Sequence, residues 1–324
     1  MSLNYKTGWA LLLVVAGVLL GGMAAIGGAW PWTAATPSLV RWTAINVNER
    51  EQQGDAHWLE IDGKVNVLID AGHLAYASNM VSFFKDRGIT HLDAVILTHG
   101  HHDHYGCLPF LLVNTVRVDV VYFNPPSDEL IKKEPWGCSR AEIDWVLGEL
   151  ARRQIPVKPM VPGMTWALGP NVQLECLYCF DGIHTPVGLT DINDTSAILR
   201  LTHRQVRFLF TGDLGPALGN DLAKTAPDRL RADVLKVPHH GAEALPDTHF
   251  FDAVCPGAMV VPAPAALWNS ERCKKVRDLT SRYPAYVNGL VGNIVVESDG
   301  RQIQIRSGSP AGPLLQTIPA ATSR

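Results

Sequence analysis

The chain has 324 residues, 47% of them hydrophobic, with 28 Lys and Arg against 31 Asp and Glu and a formal net charge of -3. That length and apolar content suit one large α/β domain or two small ones and exclude a chain that needs disulfide staples to fold. The near-balanced charge, without a basic run, leaves no electrostatic footprint for tight nucleic-acid binding, although a local groove can still be positive.

From Trp9 to Trp32 no residue is charged, and roughly 20 apolar residues suffice to span a bilayer. Small residues at Gly27-Gly28-Ala29 or Thr33-Ala34-Ala35 equally suit a signal-peptidase site. Lys6 precedes the segment and no Lys or Arg follows until Arg41, so the positive-inside rule places the remainder outside the cytoplasm, periplasmic or extracellular. Residues 1–37 read as a signal peptide or membrane anchor, one hydrophobic helix with a Pro-containing linker. Residues 38–307 read as the folded domain.

Alternation predicts strands over Arg41–Val47, Ala56–Ile61 and Lys64–Ile69, the last two joined by the hairpin signal Asp62-Gly63. Met80–Arg87 has helical spacing and stops at Gly88. The apolar run Asp93–Leu97 predicts the next strand and Val116–Phe123 another; Ser139 is a plausible cap for an amphipathic helix to Arg153. Strands are predicted over Val172–Tyr178, Ser196–Thr202 and Val206–Thr211, and helices over Leu222–Leu230 and Glu271–Arg282. A hairpin closes the domain, Asn293–Ser298 with Gln302–Arg306 around Asp299-Gly300. Residues 308–324, rich in Pro, Ala, Gly and Ser, read as a disordered tail. The six cysteines do not follow zinc-ribbon spacing. Cys176 and Cys179 lie in the stretch Val172 to Phe180, which alternates like a strand, where residues three apart face opposite sides, and they read as buried or disulfide-bonded structural cysteines.

The segment Thr98-His99-Gly100-His101-His102-Asp103-His104-Tyr105-Gly106 sets four potential metal ligands within six residues, directly after a strand. Imidazole and carboxylate suit Zn²⁺ with a position left for water. Two more polar sites follow strand-like runs, Thr211-Gly212-Asp213 and His239-His240-Gly241. Together they supply what a hydrolytic two-zinc site needs: imidazoles for each ion and a carboxylate, Asp213, able to bridge them. His57, His73, His91 and His249 have no company at ligand spacing and read as surface or structural residues, while His203, at a hairpin tip, reads as solvated.

These residues resemble the metallo-β-lactamase superfamily, whose motif T-H-x-H-x-D-H-x-G is matched from Thr98 to Gly106. More closely the chain is similar to the hydrolase domain of ComEC-type competence proteins and their stand-alone relatives. Gln53-Gly54-Asp55-Ala56, Leu68-Ile69-Asp70-Ala71-Gly72, Asn193-Asp194-Thr195-Ser196 and Asp233 to Gly241 carry that similarity. The resemblance implies a four-layer αββα sandwich with the metal site at one edge. It implies two Zn²⁺ per chain, the first on His99 and His101, the second on Asp103 and His104, with Asp213 between them. His240 would complete the second site in preference to His239, which with Asp103 and Asn193 would face the substrate. Asp70 would accept the free N–H of a ligating histidine, with Thr98 and Ser196 beside it. The histidine that the wider superfamily places between His104 and Asp213 is missing unless His184 serves, so the first zinc is expected to be the more labile.

The implied activity is hydrolysis of a small or polymeric phosphoester through a metal-bound hydroxide, nuclease- or phosphodiesterase-like. Hydrolysis of an amide, lactam or thioester is the alternative, and a non-enzymatic metal-binding module a second one. The stretches Ala242 to Pro246 and Leu267 to Ser270 depart from the subgroup and are expected to set the substrate.

Overall fold

Alternating apolar residues build eighteen strands in this computed structural model, which describes residues 38–47, 51–114, 116–180 and 191–320. The expected leader and His184 lie outside the described residues. Among those described, no helix is long and apolar enough to cross a membrane. In chain order the strands are β1 (Val40–Ala44), β2 (Ala56–Ile61), β3 (Val65–Ala71), β4 (His91–Leu92), β5 (Ala94–Leu97), β6 (Arg117–Val118), β7 (Val121–Phe123), β8 (Val157–Lys158), β9 (Thr165–Gly169) and β10 (Val172–Tyr178). The second half adds β11 (Ile198–His203), β12 (Val206–Phe210), β13 (Val234–Lys236), β14 (Ala258–Val261), β15 (Ala285–Val287), β16 (Ile294–Ser298), β17 (Gln302–Ser307) and β18 (Leu314–Pro319).

One sheet runs β18-β17-β16-β1-β2-β3-β5-β7-β8 and the other β15-β14-β13-β12-β11-β10-β9, with β4 and β6 a separate pair. Side chains two apart face the same way, and this sorts each strand between two cores. Val65, Val67 and Ile69 of β3 meet Val206, Phe208 and Phe210 of β12 between the sheets. Leu68 and Val95 face outward onto helices Ala77–Asp86, Leu108–Val113 and Arg140–Arg152. Leu209 and Leu235 face the other way, onto Pro216–Thr225, Thr248–Val254 and Lys274–Leu279. Three apolar interfaces separate four layers, so the fold is the αββα sandwich.

Strands β3, β5 and β7 are parallel neighbours in one sheet, as are β12 to β15 in the other. The loops leaving β5, β12 and β13 therefore emerge at carboxyl ends, where open α/β sheets place their sites.

The span 116–123 breaks into β6 and β7, and 222–230 becomes two helices because Pro227 cannot continue the first. Of 271–282, only a 3-10 turn over Glu271–Cys273 and the helix Lys274–Leu279 form. Within the described part of the expected tail, residues 308–320, a strand forms: Leu314–Pro319 pairs with β17, and Ile318 joins the core between the sheets. His203 is buried rather than solvated, its ring held between Ser38 Oγ at 2.8 Å and Ser298 Oγ at 3.1 Å. A register shift after Cys176 turns Cys179 inward as well, so both thiols lie in the inter-sheet core.

Candidate metal centre

The tight turn after β5 carries four of the singled-out groups. Thr98 donates both its N–H and its Oγ1–H to the carboxylate of Asp70, each at 2.8 Å, which fixes the exit of the strand. His99 follows, His101 leads into the helix His102–Tyr105, and Asp103 and His104 occupy its first turns. From the second sheet, Asp213 leaves β12 through Gly212, whose φ of 48° is left-handed. A Cβ there would lie 2.8 Å from Ser196 Oγ. The Asp213 N–H donates to that same hydroxyl at 3.0 Å. After β13, His239 and His240 both have positive φ, 49° and 55°. Such non-glycine strain costs about 1–3 kcal/mol per residue and persists where the surroundings impose it.

Four imidazoles converge here, and each has its outer nitrogen tied to the protein. His99 Nδ1 lies 3.2 Å from Thr98 Oγ1, and His101 Nε2 lies 3.0 Å from the Glu134 carboxylate. His104 Nδ1 meets Asp70 at 2.8 Å, and His240 Nδ1 meets the Pro262 carbonyl at 3.0 Å. The inner nitrogens are left facing one another. His104 Nε2 and His240 Nε2 lie 3.3 and 3.2 Å from the same oxygen, Asp213 Oδ2, and His240 Nε2 is also 3.2 Å from Asp103 Oδ2. Both atoms are buried and neither makes a hydrogen bond. Beside them His99 Nε2 faces His101 Nδ1 at 3.3 Å and Asp213 Oδ2 at 4.0 Å.

Buried nitrogens without a partner are costly, and a divalent cation satisfies them together with the carboxylates. Asp103, His104, Asp213 and His240 form one compact four-ligand cluster; His99 and His101 lie beside it. Burial opposes protonation of His104 and His240, but Asp213, with Asp70 for the first and Asp55 for the second, holds both well above the usual imidazole range. His99, equally buried and next to His104, falls well below it.

The structure thus brings His99, His101, Asp103, His104, Asp213 and His240 together, with Asp70, Thr98 and Ser196 packed behind them. His239 is set apart: half-buried, with Nδ1 on the Glu243 carbonyl at 2.8 Å. Asn193 sits in the 3-10 turn three residues before Ser196, its buried Oδ1 without a hydrogen bond. From the stretch 242–246, Glu243 pairs with Arg272.

Three participants carry no assigned role in the sequence reading. Lys236 is on the inward face of β13, fully buried, where it ion-pairs with Asp55, donates to the Gly212 carbonyl at 2.6 Å and lies 3.5 Å from Asp213 Oδ1. Asp55 in turn reaches His240 Nδ1 at 3.3 Å. Burial opposes both charges, yet Lys236 holds Asp55 well below the usual carboxylate range, and Asp55 with Asp213 raises Lys236. A signal existed for this pair: parallel strands buried on both faces are apolar runs, and a lysine within Val234-Leu235-Lys236-Val237 breaks that rule. Glu134 is the third, and nothing local marks it. It binds His101 with one oxygen and the Ile192 N–H with the other at 2.8 Å. Gly137 leaves the room for that ring, since a Cβ there would meet His101 Cδ2 at 2.8 Å.

Losing an outer partner of a ligand histidine typically costs about 10–100-fold in metal affinity. Glu134→Ala is therefore expected to weaken uptake of one ion by that factor while the cluster around Asp213 keeps its own. Metal titration resolves the two; Glu134→Gln, which keeps an acceptor, should show the smaller loss.

Nearby, burial and then Asp191 raise the Asp194 carboxyl to about 7, against an opposing hydrogen bond from Gly215. Its folded pKa exceeds the unfolded value of about 4, so the folded state binds the extra proton between them. That contribution to stability is complete below about pH 4 and is lost as pH rises through about 7. Asp194→Asn is expected to gain on the wild type across this window. Urea midpoints for both chains, compared along the pH series, check it.

The family model of the metallo-beta-lactamase superfamily matches residues 50–246. ComE operon protein 3 of Bacillus subtilis (strain 168) is 25% identical over 217 residues, 61% of this chain and 25% of that protein, so the chain spans about a quarter of that relative. Among solved structures, Zn(2+)-bound PqqB from Methylobacterium extorquens aligns with a TM-score of 0.46 and 12% identity, covering 74% of this chain and 87% of that one. With its sandwich, its histidine turn and the span matched, this chain belongs to the metallo-beta-lactamase superfamily.

Proposed function

We propose that the chain is a zinc-dependent hydrolase of phosphoester bonds, exported or anchored by residues 9–32. The observation that carries the hydrolase reading is the set of four imidazoles with their outer nitrogens tied, those of His99, His104 and His240 turning their inner nitrogens toward Asp213 and that of His101 toward His99. Asp103, His104, Asp213 and His240 would hold one ion, and His99 and His101, sharing Asp213, a second. Zinc bound there supplies Lewis acidity and makes water a nucleophile near neutral pH.

The protein groups do the rest. Asp70, Glu134 and the Pro262 carbonyl fix which nitrogen of each ring faces inward. Lys236 compensates the buried carboxylates of Asp55 and Asp213 without occupying the inner oxygen of Asp213. His239, with Nδ1 spent on Glu243, keeps Nε2 for a proton at the leaving oxygen of the substrate. The phosphoester as substrate rests on the ComEC-like sequence features.

Hydrolysis of bis-p-nitrophenyl phosphate, single-stranded DNA and nitrocefin by the zinc-loaded chain and by Asp103→Ala/His104→Ala tests the reading. Phosphodiester turnover that disappears in the variant supports it; turnover of nitrocefin alone, or turnover that survives the variant, contradicts it. N-terminal sequencing of the mature protein tells a cleaved signal from a retained anchor.

A further inference from the structure

At the end of the second sheet remote from the histidines lies a groove of about 830 Å³. Its walls come from the start of β12, the segments leading into β13, β14 and β15, and the last residues of β18. Arg204, Arg207, Arg231 and Arg282 all line it. Arg282 pairs with Asp252 at 2.6 Å. Arg204, Arg207 and Arg231 are exposed and have no ion-pair partner among the described residues. The acid in the groove, Asp233, already accepts the Arg207 backbone N–H at 2.8 Å. Arg204 is ordered by packing: its stem lies against Gly300, where a Cβ would come within 2.5 Å of Cδ. In a chain of net charge -3, this concavity concentrates positive charge.

We infer that this groove is a binding site for a chain of phosphate groups. Guanidinium forks match phosphate oxygens in bidentate geometry and keep their charge at any physiological pH. One or two forks satisfy a single phosphate, whereas the strands β12 to β15 spread these four over three strand spacings, about 14 Å. The ligand is held by its backbone, since the aromatic side chain of the groove, Tyr283, is buried and offers no stacking face. Arg207 and Asp213 lie near opposite ends of β12, roughly 15–20 Å apart at about 3.3 Å per residue. The groove thus docks a phosphate chain away from the metal centre, and it does so whether or not that centre hydrolyses phosphoesters.

The full chain, zinc-loaded and metal-free, should bind fluorescein-labelled oligodeoxythymidine with an affinity that falls with salt. Arg204→Gln/Arg207→Gln/Arg231→Gln is expected to weaken binding about tenfold or more and to lower the slope of log K against log salt by about 2, at about 0.7 per phosphate contact on a single strand. These side chains are exposed and glutamine keeps most of the Arg204 stem that packs on Gly300, so thermal unfolding should change little. Cys255 lines the groove and is exposed, while the other five cysteines are buried. Its alkylation should slow several-fold when the oligonucleotide is bound. Protection by tripolyphosphate but not by the oligonucleotide keeps the site and assigns it to a free phosphate chain. Equal protection by polyglutamate, an unchanged salt slope in the triple variant, or no protection by either phosphate ligand overturns the inference.

Discussion

Replacing Asp213 with alanine is expected to abolish the metal binding and the hydrolysis proposed for this chain. One oxygen of this residue, Oδ2, is the point on which the site is organised: it lies 3.3 Å from His104 Nε2, 3.2 Å from His240 Nε2 and 4.0 Å from His99 Nε2. No neighbour can substitute, because Asp103 approaches from the His240 side and Glu134 is committed to His101 and Ile192. The loss of metal affinity should exceed the roughly 10–100-fold that follows removal of an outer partner. A second readout is stability. A ligand that binds only the folded chain raises stability by RT ln(1 + [L]/Kd), so zinc should raise the melting temperature of the wild type and leave Asp213→Ala where it was. The fold should survive, since Lys236 keeps Asp55 as its partner. Zinc analysis and melting curves with and without chelator check both parts.

Lys236→Met is expected to be the most destabilising single change near the site. It would leave the Asp55 carboxylate, with no exposed surface, without its cation. Removing one partner of a buried ion pair typically costs about 3–5 kcal/mol, whereas replacing both by uncharged groups is often neutral. Asp55→Asn/Lys236→Met should therefore recover much of the stability lost by the single variant in urea unfolding. It should not recover full metal affinity, because Asp55 also meets His240 Nδ1 and Lys236 also meets Asp213. Equal stability of the single variant and the wild type would show that the pair carries no such weight.

The two halves of the candidate site were legible because their chemistry is written locally. A strand-like run ending in His99 to His104 declares its ligands by spacing, and Asp213 and His240 stand at the ends of two further runs. The groups that orient them were harder to read, since each contact joins distant positions: Glu134 is 33 residues from His101 and Asp55 is 181 from Lys236. His203 stands beside a turn, where side chains are usually solvated, yet here Ser38 and Ser298 close over its ring. The final strand was hidden by composition. Gly and Pro at 308–313 dominate the average, while Leu314–Pro319 right after them pairs along β17 and helps wall the arginine groove.

Whether Asp213 bridges two zinc ions is decided by anomalous diffraction at the zinc edge from crystals of the zinc-loaded full chain. Two peaks are expected on either side of Asp213, one among Asp103, His104 and His240 and the weaker beside His99 and His101. Zinc bound elsewhere, or no peak within ligand distance of Asp213, would contradict that bridge.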